Sequence, residues 1–346
     1  MQRLSARTGL YPSRFSLHVP WPAATDEPVT SGGFADIYKV NLQGKQMCCK
    51  MIRMYEKSQI EHMAKVFARE AIVWAQLLHP NILPFCGLLK LQSRLSFVSF
   101  WAANGALGDY LARNPQANRL LLVRLPKFSG VEYLHKNDII HADLKGANVL
   151  IDSSGRASLG DFGLSNVMDP EIIKWTSLST LASEGGSTRW HAPELLQSED
   201  AFDDKVYATK ASDVYAWAGI CYEIFTGRLP FFEASETVFV MYMIMQGNIP
   251  TRPQDDDPAW LMHGLNDHIW KLMEDCWTSQ HSERPSISEV IARLNSERPN
   301  DDRPPGDWGW NPFQRFCSSQ SNPRMETLAY LQGLEKLLLR IMPEMT

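Results

Sequence analysis

Short apolar runs separated by polar turns mark the first hundred residues of the chain. Residues 29–40 have the pattern of a strand, a glycine turn and a second strand, because β-branched and aromatic residues follow the glycines. Residues 47–52 and residues 95–101 form two further apolar runs, which also predict strands. A helix between them is predicted from apolar residues at helical spacing, namely Phe67, Ala71 and Trp74.

A different pattern occupies the end of the chain. Residues 297–323 predict a proline-rich linker, whose prolines are Pro299, Pro304, Pro305, Pro312 and Pro323. Residues 324–346 predict an amphipathic helix with an apolar stripe of Leu328, Leu331, Leu334, Leu338 and Ile341. We expect this stripe to pack back on the domain or to bind a partner protein. Within residues 325–342 of this helix the basic residues are Lys336 and Arg340, which are too few for a membrane-surface helix.

Composition narrows the class of protein. The chain has 346 residues, of which 44% are hydrophobic and 21% charged, as in a soluble globular protein. A formal net charge of −5 lacks the basic excess of a nucleic-acid-binding protein. The longest apolar run, residues 238–245, is too short to span a bilayer. The six cysteines lack metal-ligand spacing and favour reduced thiols in a cytoplasmic protein.

The leader, residues 1–23, allows two interpretations. It carries Arg3, Arg7 and Arg14, and no acidic residue precedes Asp26. This composition is compatible with a mitochondrial presequence. The alternative is a flexible leader that lies against the first lobe of the domain. Its prolines disfavour one long amphipathic helix.

The most specific signal is a segment that begins at His141. Asp143, Lys145 and Asn148 follow at short intervals, and Asp161 begins an Asp-Phe-Gly triplet on the next loop. A carboxylate, an ammonium group, an amide and a second carboxylate in this order suit a site that holds Mg²⁺ and a nucleophilic hydroxyl in line with a phosphate.

This segment resembles the catalytic and metal-binding loops of eukaryotic protein kinases, and further motifs follow the order of that family over residues 24–296. The resemblance implies an α+β, two-lobe protein kinase fold. A small β-rich N-lobe would span residues 24–99, a hinge residues 100–103, and a larger, mainly helical C-lobe residues 104–296. ATP and Mg²⁺ are expected to bind between the lobes.

The resemblance also assigns roles to residues. Asp143 would accept the proton of the substrate hydroxyl, Lys145 would neutralise charge on the γ-phosphoryl group, and Asn148 and Asp161 would hold Mg²⁺. The residues implied for nucleotide binding are Val29, Gly32, Gly33, Ile37, Lys50, Glu70, Ala102 and Leu150.

Lys50 is the nucleotide-binding residue with the strongest physical argument. It lies inside an apolar run, where an ammonium group is costly unless it is paired. The resemblance pairs it with the phosphates and with Glu70 of the predicted helix. Lys45, just outside the run, is expected to be solvated.

Other motifs would serve the structure. Glu194 resembles the acid that pairs with a distant arginine, for which Arg284 is the candidate. Asp213 would brace the catalytic loop from a buried central helix. Arg189-Trp190 and Cys276-Trp277 resemble the tyrosine-kinase-like group, whereas Lys145 resembles Ser/Thr kinases. Together they resemble Ser/Thr kinases of that group. Residues 32–38 together with residues 143–148 resemble the kinases of this group that are expanded in mushroom-forming fungi.

Several residues depart from the family pattern. Ala142 replaces the arginine that receives an activation-loop phosphate, which would weaken control by that contact. Thr30 and Ala35 replace two glycines and would loosen phosphate binding. Cys48 replaces a small alanine over the adenine.

The C-lobe is expected to be helical from Tyr110 and over residues 118–135. Pro126 falls inside that stretch, where a proline costs about 3 kcal/mol, and Phe128 takes a position that the family keeps small. We expect both to affect stability rather than chemistry.

The sequence therefore predicts an active Ser/Thr protein kinase acting on protein substrates. A pseudokinase that binds ATP or acts as a scaffold is the alternative, disfavoured because all five residues of the kinase chemistry are present: Lys50, Glu70, Asp143, Asn148 and Asp161. A small-molecule phosphotransferase is a third alternative. The motif of residues 186–194, which ends at Glu194, and the helix of Asp213 argue against it, because they resemble parts of kinases that serve protein substrates.

Overall fold

A computed structural model describes most of the chain. The described residues are 10–17, 27–31, 35–42, 44–52, 60–91, 94–123, 129–162, 166–167, 187–196 and 207–294, with Arg303 and Gly306. They form two compact units, of which the first holds the described residues up to 78 together with 83–101, and the second holds 79–82 and those from 102 to 306. Gly32, Gly33, Pro126, Phe128 and the predicted C-terminal helix lie outside the described residues.

The first unit is built on an antiparallel sheet. Its strands are β1 (Thr30–Ser31), β2 (Ala35–Leu42), β3 (Lys45–Ile52), β4 (Phe85–Leu91) and β5 (Arg94–Phe100), in the order β1-β2-β3-β5-β4, and helix α1 (Ile60–Gln76) packs against β4. The strands and the helix predicted from the apolar runs are confirmed. Alternation along β3 explains the two faces of the sheet, because Met47, Cys49 and Met51 are buried while Cys48 and Lys50 are partly exposed.

The chain before the sheet contributes to its core. Residues 13–15 form a 3₁₀ turn, and Leu17 N–H then donates a hydrogen bond to Leu88 O at 2.8 Å. The Phe15 and Phe85 ring centroids lie 5.4 Å apart. The backbone can approach this closely because Gly87 has no side chain: a Cβ there would lie 2.7 Å from Leu17 Cγ. Leu17 thereby joins the buried apolar cluster on the outer face of the sheet.

The second unit is mainly helical. Its helices are α2 (Leu107–Arg113), α3 (Arg119–Val123), α4 (Ser129–Lys136), α5 (Lys210–Thr226), α6 (Thr237–Met245), α7 (Pro258–Leu261), α8 (Asp267–Cys276) and α9 (Ile287–Leu294). Its short strands pair as β6 (Ile139–Ile140) with β9 (Asn166–Val167) and as β7 (Val149–Ile151) with β8 (Ala157–Leu159). The helix predicted over residues 118–135 appears as α3 and α4, on either side of residues that are not described.

Helix α5 forms the core of this unit. Every residue from Ser212 to Phe225 is buried, so the helix is enclosed on all sides. A capping box between Thr209 and Ser212 defines its start, and Gly227, with φ of +68°, ends it.

The antiparallel sheet of the first unit and the helices of the second confirm the predicted α+β class. Among the described residues, no helix is long and apolar enough to cross a membrane. Five cysteines occur in the described part of the chain, and all are free thiols: Cys48, Cys49, Cys86, Cys221 and Cys276.

Candidate active site

The catalytic segment of the second unit is anchored on a buried aspartate. Asp213 of α5 accepts hydrogen bonds from the backbone N–H groups of His141, at 2.8 Å, and Ala142, at 2.9 Å. His135 Nε2 lies 2.9 Å from the same carboxylate. Ala142 has φ of +68°, a conformation that a non-glycine residue keeps only when its surroundings enforce it. The predicted brace is confirmed, and it sets the backbone immediately before Asp143.

The structure brings Asp143, Lys145 and Asn148 together. Lys145 Nζ lies 2.9 Å from Asp143 Oδ2. Asn148 Nδ2 donates to the backbone O of Asp143 at 2.7 Å and to its Oδ2 at 3.0 Å. The carboxylate is therefore oriented by an amide and an ammonium group while Asp143 remains partly exposed. Such a group is positioned to accept a proton from a hydroxyl.

Backbone hydrogen bonds hold the loop of Asp161 next to Asn148. Gly160 N–H donates to Asn148 O at 2.9 Å, and His141 Nε2 lies 3.1 Å from Gly160 O. Asp161 itself has φ of +60°. Because Asn148 Nδ2 already donates to Asp143, its Oδ1 is the atom that would face a cation.

The donor set of Asn148 and Asp161 fits Mg²⁺. An amide oxygen and a carboxylate are the hard ligands that this ion prefers, and Mg²⁺ usually takes only one or two carboxylates from a protein. The described residues contain no cluster of three or more His, Cys, Asp or Glu side chains suited to a metal ion. Asn148 and Asp161 would therefore suit a Mg²⁺ ion whose other ligands are waters and phosphate oxygens.

Ser187 is a residue at this site that sequence reasoning missed. Its Oγ accepts a hydrogen bond from Lys145 Nζ at 2.6 Å, so one ammonium group bridges this hydroxyl and the Asp143 carboxylate. The sequence offered one indication of this role, because Ser187 is a hydroxyl residue near the start of the motif that ends at Glu194. That motif also contains Thr188, and spacing alone does not say which hydroxyl points to the lysine.

Glu223 connects the catalytic segment to the end of the same motif. Its Oε1 accepts hydrogen bonds from the backbone N–H of Gly146, at 3.1 Å, and from Trp190 Nε1, at 2.6 Å. A Cβ on Gly146 would lie 2.8 Å from Glu223 Cδ, which explains the glycine. Burial raises the pKa of Glu223 to about 8, although both donors act in the opposite direction. The side chain is therefore mostly neutral at pH 7.

His191 is a second residue that the sequence did not single out. It lines a small recess together with Ala142, Asp143 and Leu144. Burial lowers the pKa of its imidazole, an effect that Asp143 opposes and Lys145 reinforces. A neutral imidazole therefore borders the catalytic carboxylate at pH 7.

The predicted pair between Glu194 and Arg284 is confirmed. Arg284 Nη1 and Nη2 each donate to one carboxylate oxygen of Glu194 at 2.7 Å. Arg284 Nε also donates to Thr278 O at 2.8 Å, and the guanidinium lies 5.1 Å from the centroid of the Tyr215 ring. The guanidinium of Arg284 is buried while Glu194 is partly exposed, and a bidentate pair of this kind fixes the end of the motif relative to α5.

In the first unit, Lys50 and Glu70 face each other. Lys50 lies opposite Phe97 of β5, and the Phe97 ring stacks on Phe67 of α1 with centroids 4.1 Å apart. Helix α1 therefore covers the face of the sheet that carries Lys50. The contact residue Phe67 lies about one helical turn before Glu70. Lys50 Nζ lies 4.0 Å from Glu70 Oε1, a distance for an ion pair but not for a hydrogen bond. Lys45 is exposed, as expected.

Two other residues predicted to bind the nucleotide lie in this unit. Val29 N–H donates to Ile37 O at 2.8 Å, so the pairing with β2 begins one residue before Thr30. Ile37 is the neighbour of Lys50 across the β2–β3 pair.

Cys48 lies opposite Ser99 and is hydrogen-bonded to its side chain, and burial raises the pKa of the thiol to about 11. Cys48 is consequently an unreactive thiol near neutral pH.

Ala102 and Leu150 lie in the second unit and are joined through the segment after Ala102. Gly105 N–H donates to Ala102 O at 3.0 Å, and Ile151 N–H donates to Gly105 O at 2.8 Å. Ala106 forms an isolated antiparallel bridge with Leu150. These bonds bring the two predicted positions to the same edge of the β7–β8 hairpin.

Comparison with known proteins decides the family. A model of the protein kinase domain matches residues 24–294. The chain belongs to the protein kinase family. This kinase is 27% identical over 273 residues to the serine/threonine-protein kinase STY17 of Arabidopsis thaliana, covering 78% of this chain and 44% of that protein. It is 29% identical over 269 residues to a probable serine/threonine-protein kinase of Dictyostelium discoideum, covering 76% of this chain and 26% of that one.

A relative of another kind matches over the same region. Chicken ephrin type-B receptor 1 is 27% identical over 278 residues, covering 78% of this chain and 26% of the receptor. The chain thus spans less than half the length of these curated relatives.

Proposed function

We propose that this kinase is active and transfers the γ-phosphoryl group of ATP to serine and threonine hydroxyls of protein substrates. The observation that carries the proposal is the arrangement around Lys145, whose ammonium group bridges the Asp143 carboxylate and the Ser187 hydroxyl. Relatives named as serine/threonine kinases support the choice of acceptor.

The chemistry follows from this arrangement. The substrate hydroxyl oxygen attacks the γ-phosphorus, its proton passes to Asp143, and the bond from phosphorus to the bridging β-phosphate oxygen breaks to release ADP. Lys145 neutralises charge on the transferred group. Asn148 and Asp161 would hold Mg²⁺, which when bound neutralises charge on the phosphates.

The first unit supplies the group that binds the phosphates. An ammonium group in an apolar strand is retained at a cost, so its use is to pair with anions. Lys50, set beside Glu70, is suited to the α- and β-phosphates, and Glu70 orients it. Val29 and Ile37, with Gly32 and Gly33, would cover the nucleotide, while Ala102 and Leu150 would contact the adenine.

The finer assignments are also proposals. We place the chain among tyrosine-kinase-like Ser/Thr kinases on its Arg189-Trp190 and Cys276-Trp277 motifs and on Lys145. Residues 32–38 and 143–148 favour the kinases of this group that are expanded in mushroom-forming fungi. Free thiols at all five described cysteines support a reducing compartment such as the cytoplasm. Residues 324–346 would bind a partner protein or this domain.

A transfer assay tests the function. Purified chain is incubated with labelled ATP, Mg²⁺ and generic protein substrates, and the labelled amino acids are identified after hydrolysis. Asp143→Asn should lower turnover by about 10²–10⁴-fold and leave ATP affinity within a few-fold, because it removes a proton acceptor but keeps the shape. Asp138→Asn, the same change at an exposed aspartate, should have no effect.

The alternatives give different results. ATP binding without transfer to any acceptor would identify a pseudokinase. Transfer to small molecules but not to proteins would identify a small-molecule phosphotransferase. Label on tyrosine alone would leave a protein kinase but overturn the Ser/Thr assignment.

A further inference from the structure

Helix α6 presents an apolar surface that the proposed chemistry does not use. The helix Thr237–Met245 contains no charged residue. Val240 and Ile244 are buried and anchor it to the unit. Its other side exposes Val238 by 78%, Phe239 by 54%, Tyr242 by 58% and Met245 by 44%. These four residues are called the α6 patch below.

The α6 patch is contiguous. Val238, Tyr242 and Met245 follow one another at helical spacing and share one face. The Phe239 and Tyr242 rings are stacked with centroids 6.4 Å apart. Single exposed apolar residues are ordinary on protein surfaces, whereas a contiguous group of large ones marks a binding surface.

Acidic residues border the α6 patch. Glu233 and Glu236 are exposed just before the helix. Residues 229–251, all of them described, contain no lysine, arginine or histidine. The arginine that precedes them, Arg228, is already paired with Asp257 at 2.8 Å. Arg189 of the turn packed against α6 donates to Phe231 O and Ala234 O, so one guanidinium and the two carboxylates of Glu233 and Glu236 border the α6 patch. The net local charge next to the apolar surface is therefore negative.

The α6 patch also lies on an element that touches the catalytic region. Helix α6 packs against the turns Thr188–Trp190 and Pro193–Leu195. The first of these turns directly follows Ser187, whose hydroxyl is bonded to Lys145. A protein held on α6 is thus adjacent to the segment that borders the catalytic carboxylate.

We propose that the α6 patch is a docking site for protein substrates, and that it binds a segment with at least two large apolar side chains flanked by lysines or arginines. The apolar side chains cover the α6 patch, and the cations meet Glu233 and Glu236. The identification of the bound protein as substrate rests on the proposed function, whereas the binding itself does not.

Charge also argues against two other occupants. A second copy of the chain would bring its own Glu233 and Glu236 to the same surface in a symmetric interface, where like charges repel. The C-terminal residues 324–346 contain three basic and three acidic residues, so they carry no net positive charge to match. A basic and apolar segment of another protein has neither disadvantage.

Binding is tested first, with three designed 16-residue fluorescent peptides and the full chain. The first carries leucines and phenylalanines at helical spacing with lysines between them, the second has glutamates in place of the lysines, and the third has serines in place of the apolar residues. Fluorescence anisotropy should give a dissociation constant in the micromolar range for the first peptide. We expect affinities about tenfold weaker or worse for the other two.

Variants connect this binding to the α6 patch. Phe239→Ser should weaken binding of the lysine peptide by about tenfold, because it removes a central aromatic contact. Leu261→Ser is the matched control, since Leu261 is an exposed apolar residue of the same unit outside the α6 patch, and should change affinity less than twofold. Glu233→Lys with Glu236→Lys should reverse the preference toward the glutamate peptide.

Steady-state kinetics then test the link to substrates. A short serine acceptor peptide is compared with the same peptide fused to the lysine docking segment. Fusion should lower KM by about tenfold with kcat unchanged, and Phe239→Ser should remove that gain while leaving turnover of the short peptide intact. Absence of all transfer would count against the proposed function and leave the binding result standing.

Other outcomes overturn the proposal. Equal binding of the three peptides, or equal loss in Phe239→Ser and Leu261→Ser, means that the α6 patch is no specific site. Displacement by a synthetic peptide of residues 324–346 with comparable affinity makes the chain's own C-terminus the occupant. A dimer in sedimentation analysis that Phe239→Ser dissociates makes a second copy the occupant.

Discussion

Trp190 donates its indole N–H to Glu223 Oε1 at 2.6 Å, in the interior of the second unit. The same oxygen accepts the backbone N–H of Gly146, so one side chain of α5 holds both the catalytic segment and the motif that carries Ser187. Asp213, on the same helix, holds the backbone of His141 and Ala142. The buried helix therefore acts as a common base from which two loops are positioned.

The neutral state of Glu223 makes stability depend on pH. Its pKa is raised by burial from 4.5 to about 8, so the folded state binds a proton that the unfolded state releases. This contribution to the free energy of unfolding is complete below pH 4.5 and is lost as the pH rises toward 8. Glu223→Gln keeps the accepting oxygen and removes the titration. Between pH 5 and 8 the wild type should lose stability relative to the variant, at up to about 1.4 kcal/mol for each pH unit.

Chemical denaturation of both proteins at several pH values measures this difference. Glu223→Ala serves as the contrast, because it leaves two buried N–H donors without an acceptor and should cost about 1–3 kcal/mol for each donor at every pH. A constant difference between wild type and Glu223→Gln from pH 5 to 8 contradicts the assignment of a neutral glutamic acid.

Ser187 should matter for turnover more than for substrate binding. Ser187→Ala removes one of the two groups that hold Lys145 Nζ, and a hydrogen bond to a charged group contributes about 1.5–3 kcal/mol. We expect kcat to fall by about 10–100-fold, with a smaller change in KM for ATP. Ser187→Thr keeps the hydroxyl and should retain most of the activity. If alanine and threonine are equally harmful, the effect is one of packing and the hydroxyl has no role.

Lys50 and Lys45 provide a matched pair on one strand. Lys50 faces α1 and Glu70, whereas Lys45 is exposed, with its ammonium group 5.7 Å from the centroid of the Phe100 ring. Lys50→Ala should lower kcat/KM by about 10²–10³-fold, as expected for loss of a preorganised charge, and Lys45→Ala should leave it within twofold. The same initial-rate assay measures both. A larger loss from Lys45→Ala would mean that the other lysine binds the phosphates.

The parts of this structure that were predictable are those with local signals. Short segments of sequence are enough to predict three features: the alternation in β3, the helical spacing in α1 and the intervals from Asp143 to Asn148. The pairing of Glu194 with Arg284 was also expected, but from the resemblance to kinases and not from any local pattern. The tertiary environment decided the rest. Nothing near Glu223 or Ser187 in sequence says that they meet Gly146 and Lys145, because those partners are brought close only by the fold.

The contact made by the leader, residues 1–23, is also a tertiary contact that the sequence does not identify. The leader's composition allowed a presequence or a flexible leader that lies against the first lobe, and no local pattern singled out the residue that makes the contact. In the structure, Leu17 nevertheless enters the buried cluster on the outer face of the sheet and pairs with Leu88 through the backbone. The signal lies in the partner strand, at Gly87, whose missing side chain makes room for Leu17.

This contact predicts that the leader stabilises the first unit. Leu17→Ser places a hydroxyl in an apolar cluster and leaves a cavity, so the free energy of unfolding should fall by about 2–4 kcal/mol. Leu78→Ser, the same substitution at an exposed leucine of this unit, should cost less than about 0.5 kcal/mol. Urea unfolding of the full chain measures both changes. Leu17 packs with Met47 and Cys49 on the face of the sheet opposite Lys50, so kcat at low temperature should stay at the wild-type value while the unfolding midpoint falls. Equal stability of the two variants would show that the leader's contact with β4 contributes nothing to folding.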